Sequence, residues 1–346
     1  MLRLLSVVLT LTAAAGACMK SCECADNNTS ITCSNQNLLE FPQPLQGVKN
    51  LYVTNSWIRA LPNEGLEELL ILDLTNNHLG AWLTDTPTLP NMRSLTQLFL
   101  RGNGICTLVT GQFQELNNLT FLDLNQNNIK ILPPKFLKGL TNLQVLTLSL
   151  NQIQNLPCTA FSGAPALREL HLNNNNIQMI EKGVFENCTS LEKLILSKNH
   201  LKTIEKGTFL GPLGLAHLDL RLSPDDTEHL YSLRDFRLRE LHLSSNNIEM
   251  IEKGVFDNCT NLTKLLLFNN HLKSIEEGTF RGAPYLLHLD LGKNRLTAVP
   301  TGALKDTPNL NHLHLQQNAI TFVPEDAFTG LAALKKLDLS KNPLIP

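Results

Sequence analysis

Residues 167–177 read LRELHLNNNNI, and residues 238–248 repeat them as LRELHLSSNNI. Leucines hold the first, fourth and sixth places, isoleucine the eleventh and asparagine the ninth, while the seventh and eighth places change from asparagine to serine. Written as L-x-x-L-x-L-x-x-N-x-I/L, the pattern starts again at Leu69, Leu95, Leu119, Leu143, Leu191, Leu262, Leu286, Leu310 and Leu334, with weaker copies at Val48 and Leu215. That makes about thirteen copies spaced by about 24 residues, the mark of a chain wound from stacked, similar coils. The longest internal copy sets residues 167–220 against 238–291. It is identical at roughly two-thirds of its positions and reads as a three-repeat block duplicated in tandem.

Each place in the repeat has a physical reading. The L-x-L alternation is a strand with one buried face. The ninth-place asparagine follows where the chain leaves the strand. Its amide carries two donor hydrogens and an acceptor oxygen, enough to satisfy turn backbone that would otherwise be orphaned inside the coil. Asn77, Asn103, Asn127, Asn151, Asn175, Asn199, Asn246, Asn270, Asn294, Asn318 and Asn342 are therefore expected to form an internal ladder. Neighbours such as Asn174 and Asn176 are expected to face solvent and vary. On the far side of the coil, Phe113, Phe161, Phe185, Phe209, Phe256, Phe280 and Phe328 share the nineteenth place, with Leu137 and Leu304 in two other copies. This spacing predicts a buried aromatic spine rather than a cofactor pocket, and no cofactor is expected.

The chain has 346 residues and is 42% hydrophobic but only 5% aromatic, so leucine carries the core. A net charge of −2 argues against nucleic acid as a partner. Residues 1–17 read as a secretory signal: Arg3, then LLSVVLTLTAAA, then Ala15-Gly16-Ala17 before Cys18. No later stretch has the length of an apolar membrane span. Cys18, Cys22, Cys24 and Cys33 cluster behind the signal. In an oxidising compartment they read as two local disulfides, with thiolate metal binding or lipid attachment at Cys18 as alternatives. Cys188 and Cys259 replace leucines of sister repeats and read as small buried hydrophobes. Cys106 and Cys158 lie at different places in coils two apart, which disfavours a bond between them and leaves a free thiol for a partner chain as an alternative.

These motifs resemble the typical extracellular class of leucine-rich repeats, and CMKSCECADNNTSITCSNQNLLEFP (18–42) resembles the cysteine-rich N-terminal cap of that class. The resemblance implies an α/β fold: a right-handed solenoid shaped as a horseshoe, with a parallel concave sheet and an irregular or short-helical convex side. It implies the cap pairs Cys18–Cys24 and Cys22–Cys33, a cap over 18–47 and repeats over 48–346. It implies protein binding, and within the family the chain looks most like secreted plasma-type members. The closing LDLSKNPLIP resembles the Asn-Pro approach to a cysteine-rich C-terminal cap, but no cap cysteines follow. The expectation is that this cap is absent, and that Leu337, Leu339 and Leu344 are exposed or covered by another chain.

Parallel strands about 4.8 Å apart give a sheet on the order of 60 Å long. Its outward positions are free of core duty and should carry specificity. Tyr52, Phe99, Phe121 and Val145, with Leu150, form an apolar early part suited to anchoring a protein ligand. His171, His217, His242, His288, His312 and His314 dominate the later part, with Asp219 beside His242 and Asp290, His314 and Asp338 in a cross-strand row. Three readings stay open for them. They are tolerated surface residues, or a pH-responsive surface in which carboxylates raise the imidazole pKa, or a metal site of His288, His312, His314 and Asp290.

N-x-S/T sequons at Asn27, Asn28, Asn118, Asn187, Asn258 and Asn261 all fall outside the outward strand positions, so sugars there would leave the sheet open. One coil departs from the pattern. Ser223 replaces the ladder asparagine, Pro224 follows, and residues 225–237 suit a short capped helix or a degenerate repeat where the duplicated blocks join. No serine or cysteine nucleophile stands at a strained turn, and an open sheet does not exclude water, so no catalysis is expected. The sequence thus points to a secreted, extracellular scaffold for a protein ligand. The ectodomain of an innate-immune or adhesion receptor and an extracellular matrix protein are the alternatives.

Overall fold

The computed structural model describes residues 22–35, 37–43, 45–201, 211–212, 214–221, 238–251 and 253–345. The signal-like residues 1–17, Cys18, Phe209, Ser223 and the 225–237 segment lie outside them. Each repeat contributes a three-residue strand, from Asn50–Tyr52 to Lys336–Asp338, and the strands join one fifteen-stranded sheet whose first two members are the cap hairpin of Glu23–Ala25 and Ser30–Thr32. Beyond that antiparallel hairpin, neighbours in this sheet are parallel and in register, with leucine opposite leucine from Leu51 through Leu72 and Leu98 to Leu337. Equal coil lengths enforce that register. A slip by one residue would turn every leucine outward.

The ladder is present as the sequence implies. Asn151 Nδ2 donates to the carbonyls of Leu124, one coil back, and Leu148 in its own coil, at 2.9 and 3.0 Å. Its Oδ1 accepts from Ile129 N–H at 3.1 Å. Asn175, Asn270, Asn294 and Asn318 donate to the same two kinds of carbonyl. Asn342 does so in the last coil while only half-buried.

The neighbouring asparagines are less free than their spacing suggests. The eighth place takes a left-handed backbone in coil after coil: Asn76, Gly102, Gln126, Leu150, Asn174, Lys198, Ser245, Asn269, Lys293, Gln317 and Lys341 all have positive φ. Asparagine and glycine tolerate that region best, which is a second reason for the asparagine run. Leu150 sits there at φ 58° and is 48% exposed, so it belongs to the turn and not to the strand surface.

Phe113, Phe161, Phe185, Phe256 and Phe280 are fully buried, and Phe161–Phe185 and Phe256–Phe280 stack at 6.0 Å between ring centroids. Phe136 joins Leu137 in this layer, and Phe328 is only partly buried near the end. Some coils approach so closely that the twenty-first place must be glycine: a Cβ on Gly163 would lie 2.3 Å from the carbonyl oxygen of Leu137, whereas Glu115, Asn187, Asn258 and Asp306 hold that place elsewhere. Among the described residues the convex side is sparsely helical, with only Gly80–Asp85 and Thr301–Leu304, plus one extra parallel pair of Asn155–Leu156 with Met179–Ile180. The described cysteines follow their reading, and the Cys18–Cys24 pairing lies outside the described residues. Cys22 and Cys33 are bonded, Cys24 is also in a disulfide, Cys188 and Cys259 are buried, and Cys106 and Cys158 are exposed and unbonded. At the last strand Leu337 and Leu344 are exposed, while Leu339 packs partly against the core.

Candidate functional site

The third and fifth places of each repeat are the outward strand positions, and the register lines them up into two columns along the concave sheet. In the early part, Tyr52, Phe99, Phe121 and Val145 are each half-buried at these places. Phe99 and Phe121 occupy adjacent strands, and their rings meet at 4.9 Å with a 37° tilt. Asp73 stands between Tyr52 and Phe99 in the fifth-place column. The apolar patch is therefore a paired-ring centre with Tyr52 set apart, not one continuous strip.

Many fifth-place aspartates serve the turn. Oδ1 of Asp73, Asp123, Asp290 and Asp338 accepts the backbone N–H two residues on, at 2.8–3.0 Å. Asp123 also accepts from the Thr147 hydroxyl at 2.7 Å. Asp290, which the sequence offered as a ligand or metal group, thus has one carboxylate oxygen committed to Gly292 N–H. Asp219 is buried and gripped by Arg221 through both carboxylate oxygens. Burial opposes its charge, but the Arg221 hydrogen bonds prevail and hold its pKa below the ordinary value.

The duplication is printed on the concave face. Glu169, Lys193 and His217 in the third-place column are repeated as Glu240, Lys264 and His288, and His171 and Asp219 in the fifth are repeated as His242 and Asp290. In the first block Glu169 Oε2 meets His171 Nε2 and Lys193 Nζ, both at 3.2 Å. In the second block Glu240 meets the equivalent pair, His242 Nε2 at 3.4 Å and Lys264 Nζ at 3.7 Å. It also meets His217 Nδ1 at 3.3 Å, from the last strand of the first block. Two histidines converge on one carboxylate at this junction, whereas Glu169 has Val145 on that side.

The later histidines sit on outward places, and at His288 and His242 the electrostatics reverse the expected sign. Burial, then the positive field of His314 and His312, pushes the His288 imidazole below its ordinary pKa, and Asp290 only partly offsets this. His242 is lowered likewise, by burial first and His217 second. The rings of His288 and His312 stack at 5.4 Å, and those of His288 and His314 at 5.3 Å. The ligand atoms of these histidines and Asp290 do not gather within 4.8 Å of one another. Among the described residues, the group of three or more histidines, cysteines or acids whose ligand atoms lie within 4.8 Å of one another is His217, Glu240 and His242. Glu240 lies in the third-place column, outside the fifth-place rows of acid and histidine that the sequence pattern singles out. Its register opposite His217 was the available signal.

Asn27, Asn118, Asn187, Asn258 and Asn261 are exposed and Asn28 half-exposed, all off the outward strand places. No helix among the described residues is long and apolar enough to cross a membrane.

A family model of leucine-rich repeats matches residues 122–177, 165–224, 236–296 and 284–344, and the chain belongs to that family. No curated protein sequence matches the chain closely enough to count as a relative. Among solved structures, the chain is similar to a leucine-rich-repeat protein of Leptospira interrogans, at 28% identity and a TM-score of 0.66 over 84% of this chain and 72% of that one. It is similar in fold to an internalin of Listeria monocytogenes, at 19% identity and a TM-score of 0.62 over 92% and 82%. It is also similar in fold to Toll of Drosophila in the Toll–Spatzle complex, at 21% identity and a TM-score of 0.73, spanning 87% of this chain but 40% of that one. Leucine-rich repeats generally mediate binding between proteins.

Proposed function

We propose that this chain is a secreted, N-glycosylated binding protein that holds a protein ligand in its concave face, regulating or stabilising that ligand without catalysis of its own. The observation that carries this reading is the Phe99–Phe121 pair. Two aromatic rings stand half-exposed on an open sheet, in positions the core does not use. Val145 adjoins Phe121, Tyr52 stands beyond Asp73, and the charged columns from Glu169 onward supply a polar surround, the usual anatomy of a docking surface. Sugars at the six sequon asparagines would coat the edges and leave the sheet accessible. Histidine and lysine along the later columns give a ligand both stacking and hydrogen-bonding partners.

The likeness to Toll, a protein solved in complex with Spatzle and described as a hub in development and innate immunity, favours a second reading as the ectodomain of a receptor. Affinity capture from extracellular fluid with the mature chain, read by mass spectrometry, should return a specific ligand. Replacing both Phe99 and Phe121 by serine should weaken its binding by at least about tenfold, as loss of an aromatic anchor does. Replacing the exposed Ile131, which lies outside the sheet, should not. Equal binding by the double variant and the parent would refute the concave-face assignment.

A further inference from the structure

We propose that His217, Glu240 and His242 form a binding site for a single transition-metal ion, zinc in the first instance, at the seam between the duplicated blocks. Two imidazoles and one carboxylate are a standard donor set for zinc, with a fourth position left open. Bonds of about 2.0–2.1 Å to a tetrahedral ion place the ligand atoms about 3.3–3.4 Å apart. The observed separations are 3.3 Å from His217 Nδ1 and 3.4 Å from His242 Nε2 to Glu240 Oε2, and all three ligand atoms lie within 4.8 Å of one another. The two rings meet edge to face at 65°, which lets both nitrogens point at one centre. The stacked histidines further along the sheet lack that convergence.

A second observation comes from His242 itself. Its Nε2 is buried and makes no hydrogen bond, approaching Glu240 without the geometry of one. A buried imidazole nitrogen without a partner is costly, and an ion at this centre would satisfy it. Asp219 stands beside His242 in register and adds negative charge, while Lys264, 3.7 Å from the Glu240 carboxylate, competes with an ion for it. The equivalent Glu169 meets a single histidine, His171, with Lys193, so among the described residues the first block gathers no such site. The fourth position would face the open concavity, where water or a carboxylate or imidazole of a bound protein completes the shell. The site goes beyond the ligand-binding reading and does not depend on it.

The test uses the mature chain without a histidine tag, freed of metal and dialysed against Zn2+ alone. One ion per chain should remain bound, and the melting midpoint should rise with added Zn2+. His217→Asn and Glu240→Gln, both on the exposed side of the sheet, should each weaken binding at least about tenfold and abolish the melting shift. His171→Asn should leave both unchanged, and Lys264→Gln should tighten binding by removing the competing ammonium. Failure to retain an ion, or retention that His217→Asn and Glu240→Gln leave untouched, would overturn the assignment.

Discussion

Asparagine carries two jobs in this chain, and only one was legible from spacing. The ninth-place amide was readable because it changes only in the two weaker copies, at Ser56 and Ser223, while its surroundings vary freely, and because burying an amide at a strand exit demands partners. The eighth-place preference was not readable as a backbone requirement, since lysine, glutamine, serine and leucine also occur there. Left-handed geometry is paid in a small strain that many side chains tolerate. The two jobs separate by mutation. Asn151→Ala leaves the buried Ile129 N–H without its acceptor, while Leu124 O and Leu148 O keep the amides of Asn127 and Asn175. That buried orphan costs about 1–3 kcal/mol, and a loss of about that size is expected in urea unfolding followed by circular dichroism. Asn176→Ala, at an exposed tenth place, should stay within about 0.5 kcal/mol of the parent.

At the scale of the strand, the outward columns were located correctly by L-x-L alternation, but the chemistry between columns was not. Alternation says which way a side chain points. It does not say which neighbour across the sheet will share its field, and that depends on coil register. His288 illustrates the difference. An acid at 290 suggested a raised pKa, yet the Asp290 carboxylate is turned toward Gly292, and burial together with His314 and His312 lowers the imidazole instead. Because the folded state resists protonating His288, the unfolded chain binds the extra proton as pH falls below the ordinary imidazole value of about 6.5. Stability is therefore full above that pH and declines on acidification. The melting midpoint should drop between about pH 7.5 and 5.5, and His288→Gln should make the drop shallower. A midpoint that rose on acidification, or a slope indifferent to the substitution, would contradict the field around His288 described above.

At the scale of the whole molecule, a sulfhydryl census reports on coil packing. Cys188 and Cys259 are sealed inside the coils and burial pushes the Cys188 thiol up to about 12, while Cys106 and Cys158 face solvent. A thiol reagent at neutral pH should consume the two exposed groups quickly and the two buried ones only after denaturant opens the solenoid. Fast reaction of all four in the native protein would mean the coils do not close as described. The horseshoe itself was legible from the repeat alone, because equal coil lengths leave a chain few other ways to bury a leucine every second residue. The near-absence of convex helices was less legible. The convex segments carry phenylalanine and glycine at fixed places, and those constrain how closely coils approach without dictating a helix.

The asparagine amides give the stack a direction. Among the described residues, the inter-coil bonds of the ladder amides reach back to the preceding coil, so a coil's own eleventh-place N–H stays unpaired until the asparagine of the next turn arrives. During synthesis the ribosome releases coils in that same order, and each newcomer closes the one before it. The growing chain would thus carry a single raw edge at its newest turn, moving forward like the open end of a zip.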